Sequence, residues 1–567
     1  MIRPSASARI LSPLAALASA AAFIACAVTT ASAAPPQLYW DDGTVTVNGA
    51  SGGGPGTWAV GGSGWEDGYS AVNWADSNNA VLGGTPGTVT LGGPITASSV
   101  TLDVDGYTIT GQTLRLGAGG ITANGDTTIA SNLALGASQT WTVAAGKTLA
   151  LTSNTRMSIN GSCILDLNYS AGGTVSFQGT GAFSVGDQSP GTFNHNDGTI
   201  EITTTSAGFG LGLNIGYKIG GHGTYNLSGG TLNSRDSYVL LGAGGANTGT
   251  WNVSGGEANV RGIGFTSSTS ATGTFALTGG RVNIGAYGIA AVTAGTRNIN
   301  LGGGTLGALA DWASSEAMTF SNPYRNVTFD TLDAADLTTP RTITLNGALG
   351  GSGGLVKDGP GTLRLTSPNT YAGPTYVNAG TLIVDGSIAS SSMATVVEPG
   401  ATLMGSGTVG DTYVAGTLAP GNSIESLGTG ALVFSPTSTF DYELNSSVLA
   451  GDLVDSTGSL SIASGAGLAL AELASGILSV GDKLTLISYN GTWNNGIFTG
   501  YADGATFTLG SNTWLMDYND DTGGGNFSAD QSGALGFVTI TVVPEPAATL
   551  GLALLLSVAL LRRRRHS

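Results

Sequence analysis

Cysteine, histidine and charged side chains are all scarce in this sequence. Two cysteines and three histidines occur in 567 residues, and Asp, Glu, Lys and Arg together make 10% of the chain, where about 25% is usual. Cys26 lies in an apolar run near the N-terminus, which leaves Cys163 alone in the body. A lone cysteine excludes an internal disulfide. Its surroundings, Ser162-Cys163-Ile164-Leu165-Asp166-Leu167, alternate as a strand does, so the thiol reads as buried and inert. The histidines build no site. His566 is in the tail, His195 stands in Asn194-His195-Asn196-Asp197, and His222 stands between Gly221 and Gly223. Both compositions are those of turns, so His195 and His222 are expected on exposed loops. That supports neither a shared metal site nor a hydrolase triad.

Glycine is the opposite case, with 93 residues, more than twice the usual ~7% share. Glycine does not recur strictly every third residue, which excludes collagen. The apolar fraction of 41% is too high for a chain that cannot collapse. Acidic residues outnumber basic ones, 36 to 19. Six of the 19 basic residues lie in 1–33 and 547–567 and all 36 acidic ones lie in 34–546, so that body holds 13 basic against 36 acidic residues, a net charge of −23. Such a body repels nucleic acid and anionic lipid surfaces and attracts divalent cations weakly.

The ends read as addresses. Residues 1–33 have Arg3 and Arg9, then an Ala-rich apolar centre, then Ala31-Ser32-Ala33. That is the pattern of a secretory signal peptide, with cleavage between Ala33 and Ala34. An uncleaved N-terminal membrane helix and a lipoprotein start at Cys26 are the competing readings. At the other end, Val543-Pro544-Glu545-Pro546 precedes an apolar run from Ala547 to Leu561 and then Arg562-Arg563-Arg564-Arg565. Fifteen apolar residues are short for a bilayer core, which takes about 20, and the arginines hold that end on the cytoplasmic side. The segment 542–567 resembles the PEP-CTERM sorting signal of Gram-negative bacteria; a plain tail anchor is the alternative. The resemblance implies an exosortase-type sorting enzyme as partner and a transient membrane anchor. It also implies delivery to the surface or matrix of an exopolysaccharide producer.

From about 85 to 430 the chain consists of short β-branched alternations broken by Gly, Asn, Asp and Ser, as in Thr88-Val89-Thr90-Leu91 and Thr113-Leu114-Arg115-Leu116. Period 2 argues strands. A frame repeats: Gly191-Thr192-Phe193, Gly223-Thr224-Tyr225, Gly249-Thr250-Trp251 and Gly273-Thr274-Phe275, each followed by Asp197-Gly198, Gly229-Gly230, Gly255-Gly256 or Gly279-Gly280. Spacings of 32, 26 and 24 suit a solenoid whose coils differ in loop length. The Gly pairs supply positive-φ corners, and Thr and Asn at matching heights can form ladders. A propeller wants longer blades, and a calcium-binding nonapeptide roll wants a Gly-Gly-x-Gly-x-Asp repeat that is missing. A parallel β-helix fits best, with a stacked β-sandwich array as the alternative. In coils of about 24 residues, 85–430 gives roughly 14 coils and a rod about 65–70 Å long.

Leu355-Val356-Lys357-Asp358-Gly359-Pro360-Gly361-Thr362-Leu363-Arg364-Leu365 runs on to Asn369-Thr370-Tyr371-Ala372-Gly373-Pro374 and to Gly380-Thr381-Leu382. This stretch, 355–384, resembles the autotransporter-associated β-strand repeat, with Pro374 where Gly is common. The resemblance implies a right-handed parallel β-helix. Echoes at Ala401-Thr402-Leu403, Gly407-Thr408-Val409 and Gly416-Thr417-Leu418 predict three further coils. Trp40, Trp58, Trp65 and Trp74 predict a Trp-rich cap over 34–84 that plugs the open end. Residues 431–541 are too short for a translocator barrel of that family and are expected to form a small β-sandwich-like or widened cap. The fold expected is therefore all-β, flanked by the signal peptide and a membrane-anchor helix.

Motifs that carry chemistry are few, and no cofactor is implied. Asp103-Val104-Asp105-Gly106 could set two carboxylates on one strand face, but reads better as a turn. Asp517-Tyr518-Asn519-Asp520-Asp521-Thr522-Gly523 faintly follows a calcium loop. Position 12 is Ser528 rather than Glu and the Gly is one residue late, so it reads as an acidic hairpin loop. Gly52-Gly53-Gly54 and Gly302-Gly303-Gly304 lack the Lys-Ser and helix of a phosphate loop. The expected function is non-enzymatic: an exported structural or adhesive rod whose Thr-, Asn- and Ser-rich faces can hold exopolysaccharide. A β-helical polysaccharide lyase or hydrolase is the alternative.

Overall fold

The computed structural model describes residues 34–545 except 43–45, 154–156, 168–171, 179–182, 204–211, 266–267, 390–392 and 528–535. Among these residues the regular structure is β throughout. Short strands wind into a β-solenoid of about 15 turns, and successive coils pair in parallel on three faces. The first face runs from Asn79–Leu82 through Gly191–His195, His222–Leu227, Thr248–Val253 and Thr272–Leu277 to Leu349–Gly351. The second and third faces belong to one continuous network, since strands such as Thr231–Leu241 and Glu257–Phe265 cross the corner between them.

The register follows the repeat read in the sequence. Gly191, Gly223, Gly249 and Gly273 pair in one row. The adjacent row, Phe193, Tyr225, Trp251 and Phe275, is buried, as are Leu227, Val253 and Leu277 two residues on. Inside the helix the rings of Phe193 and Tyr225 lie 4.9 Å apart and those of Trp251 and Phe275 lie 5.2 Å apart. Each coil thus buries its neighbour's apolar face, which is how a quasi-one-dimensional fold accumulates stability. The corner after the first face needs glycine. Gly198, Gly230, Gly256 and Gly280 have φ of 72°, 70°, 68° and 71°. A Cβ at Gly230 would stand 2.3 Å from the carbonyl oxygen of Gly198 in the coil below, so backbone stacks on backbone there.

Near the N-terminus four tryptophans pack together. Trp40, Trp58, Trp65 and Trp74 are all buried, with ring centroids 4.7–5.1 Å apart. Gln37–Trp40 pairs in parallel with Asn79–Leu82 and antiparallel with Trp65–Glu66. The first coil's edge is therefore occupied, not left open for another chain.

Two expectations about the later coils need correction. Parallel stacking does not stop near residue 430. Leu432–Phe434 pairs with Leu460–Ile462, and Thr439–Asn445 pairs with Gly467–Ala474. The segment expected to be a separate cap therefore begins as further coils. It ends in a sheet in which Lys483–Tyr489, Gly536–Val543, Asn512–Asp520 and Thr506–Leu509 run antiparallel. Phe498, buried, sits 5.2 Å from Phe434 and 5.9 Å from Phe440 and plugs the last coil. The three echoes after the repeat also do not mark three coils. Thr381, Thr402 and Thr417 are successive rungs of one face. Thr408 instead bridges Ser387 and Gly428 on another face, so it shares a coil with Thr402. Gly-Thr recurs because each corner of a coil asks for the same residues, not once per coil.

Candidate functional site

The outward side of the first face is a lattice of amides and hydroxyls. Asn194 Nδ2 donates to Asp166 Oδ1 at 2.6 Å, Asn226 to Asn194 at 2.8 Å and Asn252 to Asn226 at 2.8 Å. Alongside run Thr192, Thr224, Thr250 and Thr274, paired rung by rung and partly exposed. A second ladder climbs the next face: Asn233 donates to Glu201 at 2.6 Å, Asn259 to Asn233 at 2.9 Å and Asn283 to Asn259 at 2.9 Å. In the first ladder Asn194 and Asn226 are partly exposed and each uses one N–H and its carbonyl, which leaves the second N–H for water or a ligand. In the second ladder Asn259 and Asn283 are buried, and Asn283 spends both N–H groups, on Glu257 and Asn259.

The histidines are not placed as expected. His195 is not on an exposed loop. It is the last residue of the strand Gly191–His195 and is fully buried. Its Nδ1 lies 2.8 Å from Tyr225 Oη and its Nε2 3.2 Å from the Gly198 carbonyl oxygen. Burial disfavours the imidazolium and pushes its pKa down to about 4, so at neutral pH the ring is uncharged. The turn-like composition misled because the inward alternation of the strand runs one residue into it. His222 is exposed, but it opens the strand His222–Leu227, where its Nδ1 meets Thr248 Oγ1 at 2.8 Å. The structure does not bring the two histidines together.

Asp103 to Gly106 form a turn. There Asp103 accepts from Asn124 at 2.8 Å and Asp105 from Lys147 at 2.7 Å. The hydrogen bond from Lys147 holds the Asp105 carboxyl below its ordinary range. Asp517–Asp520 correct the hairpin-loop reading, since they belong to the strand Asn512–Asp520. Asp520 bonds Lys483 Nζ at 2.5 Å. Burial pushes the Asp520 carboxyl up, but Lys483 and neighbouring hydrogen bonds outweigh it and hold it below its usual value. Cys163 is buried and free.

Pro544 and Glu545 follow the last strand and are exposed, and Ala34 is the first described residue. Ala33, Pro546 and Arg562, Arg563, Arg564 and Arg565 lie outside the described residues, as does the apolar run from Ala547 to Leu561. Among the described residues no helix is long and apolar enough to cross a membrane, and no group of three or more His, Cys, Asp or Glu could hold a metal ion.

Lys357 and Asp452 are buried ionisable groups with shifted pKa values that were not foreseen as such. Lys357, in the repeat motif, is fully buried, and its Nζ donates to the carbonyl oxygens of Asp358, Gly359 and Ala379 at 3.0, 2.8 and 2.8 Å. It ties one corner to the corner of the next coil. Burial pushes its pKa down to about 8. Asp452 accepts from the backbone N–H groups of Glu425 and Glu443 at 3.1 and 2.9 Å, and burial pushes its carboxyl up to about 7. Neither faces an open cleft with a partner acid or base, so their placement is that of structural groups.

Residues 355–384 match the passenger-associated-transport-repeat family. An adhesin autotransporter, BmaC, of Brucella suis biovar 1 is 42% identical over 114 residues, which is 19% of this chain and 3% of that protein. An extracellular serine protease of Serratia marcescens is 48% identical over 81 residues, 14% of this chain and 8% of that protein. The similar stretch is thus a small part of each curated relative. The crystal structure of the Haemophilus influenzae Hap adhesin aligns with 86% of this chain and 63% of its own at 11% identity and a TM-score of 0.26.

Proposed function

We propose that this chain is an exported β-helical rod of a Gram-negative bacterium that works at the cell surface or in the exopolymer matrix as an adhesive or structural element, without catalysis. The observation that carries this reading is the outward amide ladder from Asp166 to Asn252, whose partly exposed asparagines run beside a row of threonines. It presents hydrogen-bonding groups at a regular rise. The repeat match and the local likeness to a protein named an adhesin support surface display. The protease relative matches over 8% of its length, and the buried, uncharged His195 offers no general base to the exterior.

Secretion through residues 1–33 and sorting through Pro544-Glu545-Pro546 and Arg562 to Arg565 complete the proposal. The membrane segment then anchors the chain only until an exosortase-type enzyme processes it. In a strain lacking that enzyme the chain is expected to remain membrane-bound at full length. An identical mature C-terminus in both strains would remove the sorting step. The adhesive reading is tested by sedimenting the secreted protein with the producer's own exopolysaccharide: co-sedimentation supports it, and a protein left wholly in the supernatant contradicts it.

A further inference from the structure

A groove of about 620 Å³ lies beside the row of Thr408 and Gly428, where the coils approach the C-terminal sheet. In this row successive coils stack through the single bridging residues Pro368, Ser387 and Thr408, the last onto Gly428, in place of paired strands. On a neighbouring row Thr412 pairs with Thr395, 17 residues earlier, whereas the coils on either side step by 20. Gly407, Gly410, Gly428 and Gly430 are among its lining residues, so backbone is open to the groove and a flat ligand can lie close to it.

The polar groups around the groove include Ser406, Thr408, Asp411, Ser426, Asp455 and Thr457. Asp411 Oδ1 accepts from the Ala431 N–H at 2.8 Å, and Asp455 Oδ1 accepts from the Ser488 hydroxyl at 2.5 Å. Each carboxylate is oriented through one oxygen, and its second oxygen has no hydrogen-bond partner among the described residues. Thr457 is engaged with the Thr429 carbonyl at 3.1 Å. Among the described residues that line the groove there is no Lys, Arg or His. With a net charge of −23 over the body, the site disfavours phosphates and polyuronates. Oriented carboxylates that only accept, with hydroxyls that donate and accept, match the vicinal hydroxyls of an uncharged sugar. The volume lies within the roughly 300–1,000 Å³ of ligand sites.

We propose that this groove binds a segment of neutral polysaccharide, with Asp411 and Asp455 accepting hydrogen bonds from its hydroxyls. The proposal rests on the adhesive reading above and gives it a location and a ligand class. The experiment is affinity electrophoresis of the full secreted chain in gels containing dextran, laminarin or galactomannan, with alginate and polygalacturonate as acidic comparators. Retardation by at least one neutral polymer and by neither acidic one is expected. Asp411→Asn and Asp455→Asn should each weaken it tenfold or more, and Thr408→Trp, which fills the groove, should abolish it, with melting temperatures unchanged. Undiminished binding in variants that melt like the parent, binding confined to the acidic polymers, or no binding to any neutral polymer would each overturn the groove assignment. If the parent still co-sediments with its own exopolymer in those cases, the adhesive reading stands alone. If it does not, both fall.

Discussion

Acidification should loosen this β-helix at one identifiable rung. His195 is buried against Tyr225 and Phe193 and held uncharged, with its pKa lowered from 6.5 to about 4. The nearby Asp197 carboxylate pulls the other way but does not prevail. A histidine whose folded pKa is depressed contributes stability that is present above its unfolded pKa and is lost as pH falls toward the folded one. The window therefore runs from pH 6.5 down to about 4. At 1.36 kcal/mol per unit the full loss is about 3 kcal/mol, with about 2 kcal/mol already gone at pH 5. Solenoids can open locally, so the assay is hydrogen exchange on peptides covering Gly191–His195 and His222–Leu227, corrected for intrinsic rates and compared with His195→Phe. The parent should lose protection relative to the variant as pH falls from 7 to 4. A parent-minus-variant difference that stays flat over that range would show that His195 is not held neutral in the interior, and the register that buries it would be wrong.

Other outcomes follow from the same geometry. Val253→Asp should destabilise by about 3 kcal/mol or more in thermal melts by placing an unpaired carboxylate in the core. Thr250→Asp, on the outer face of the same strand and outside the amide ladder, should cost about 1 kcal/mol or less; equal effects would mean that the faces are swapped. Lys357→Met should cost about 2 kcal/mol in the same measurement, because it leaves the carbonyls of Asp358, Gly359 and Ala379 without their donor. Lys357→Arg should not rescue, since a planar fork does not fit a point-charge site. Asp452 acts opposite to His195. Its folded pKa is raised to about 7, so stability present below its unfolded value of 3.8 is lost as pH rises toward 7, by about 4 kcal/mol. Exchange protection around Leu453–Ser456 in Asp452→Asn should be less sensitive to pH over that range than in the parent.

The periodic part of the fold was legible because a coil repeats one physical demand. Gly191, Gly223, Gly249 and Gly273 share a frame in the sequence and one hydrogen-bonded row in the structure. Across these four coils one row takes glycine and the interior row takes an aromatic ring, while Cys163 and Arg297, and Leu165 and Ile299, continue the two rows beyond them. The same logic explains the misreadings. Gly407-Thr408-Val409 looks like Gly416-Thr417-Leu418, yet the two lie on different faces, because corners of one coil impose similar local chemistry. The end of the solenoid was placed too early because the later coils lengthen: Leu460 pairs with Leu432, 28 residues before it, and a lengthening period fades from view in a one-dimensional search.

Sites fared worse than fold, for a reason set by the topology. Residues that meet on a face of a β-helix are separated by a whole coil. Asp411 and Asp455 both line one groove from 44 positions apart, and His195 meets Tyr225 from 30 positions away. Cofacial i, i+2 pairs, the only ones a strand pattern reveals directly, pick out Asp103 and Asp105, which the structure places in a turn. Once the aromatic row fixes the register, the neighbours become predictable by adding one coil length. Asn194, Asn226 and Asn252, spaced 32 and 26 apart, follow the Phe193, Tyr225 and Trp251 row at every step. A ladder of that kind can be read from sequence alone. A groove lined by residues from several coils of unequal length cannot, because its lining depends on how those coils stack.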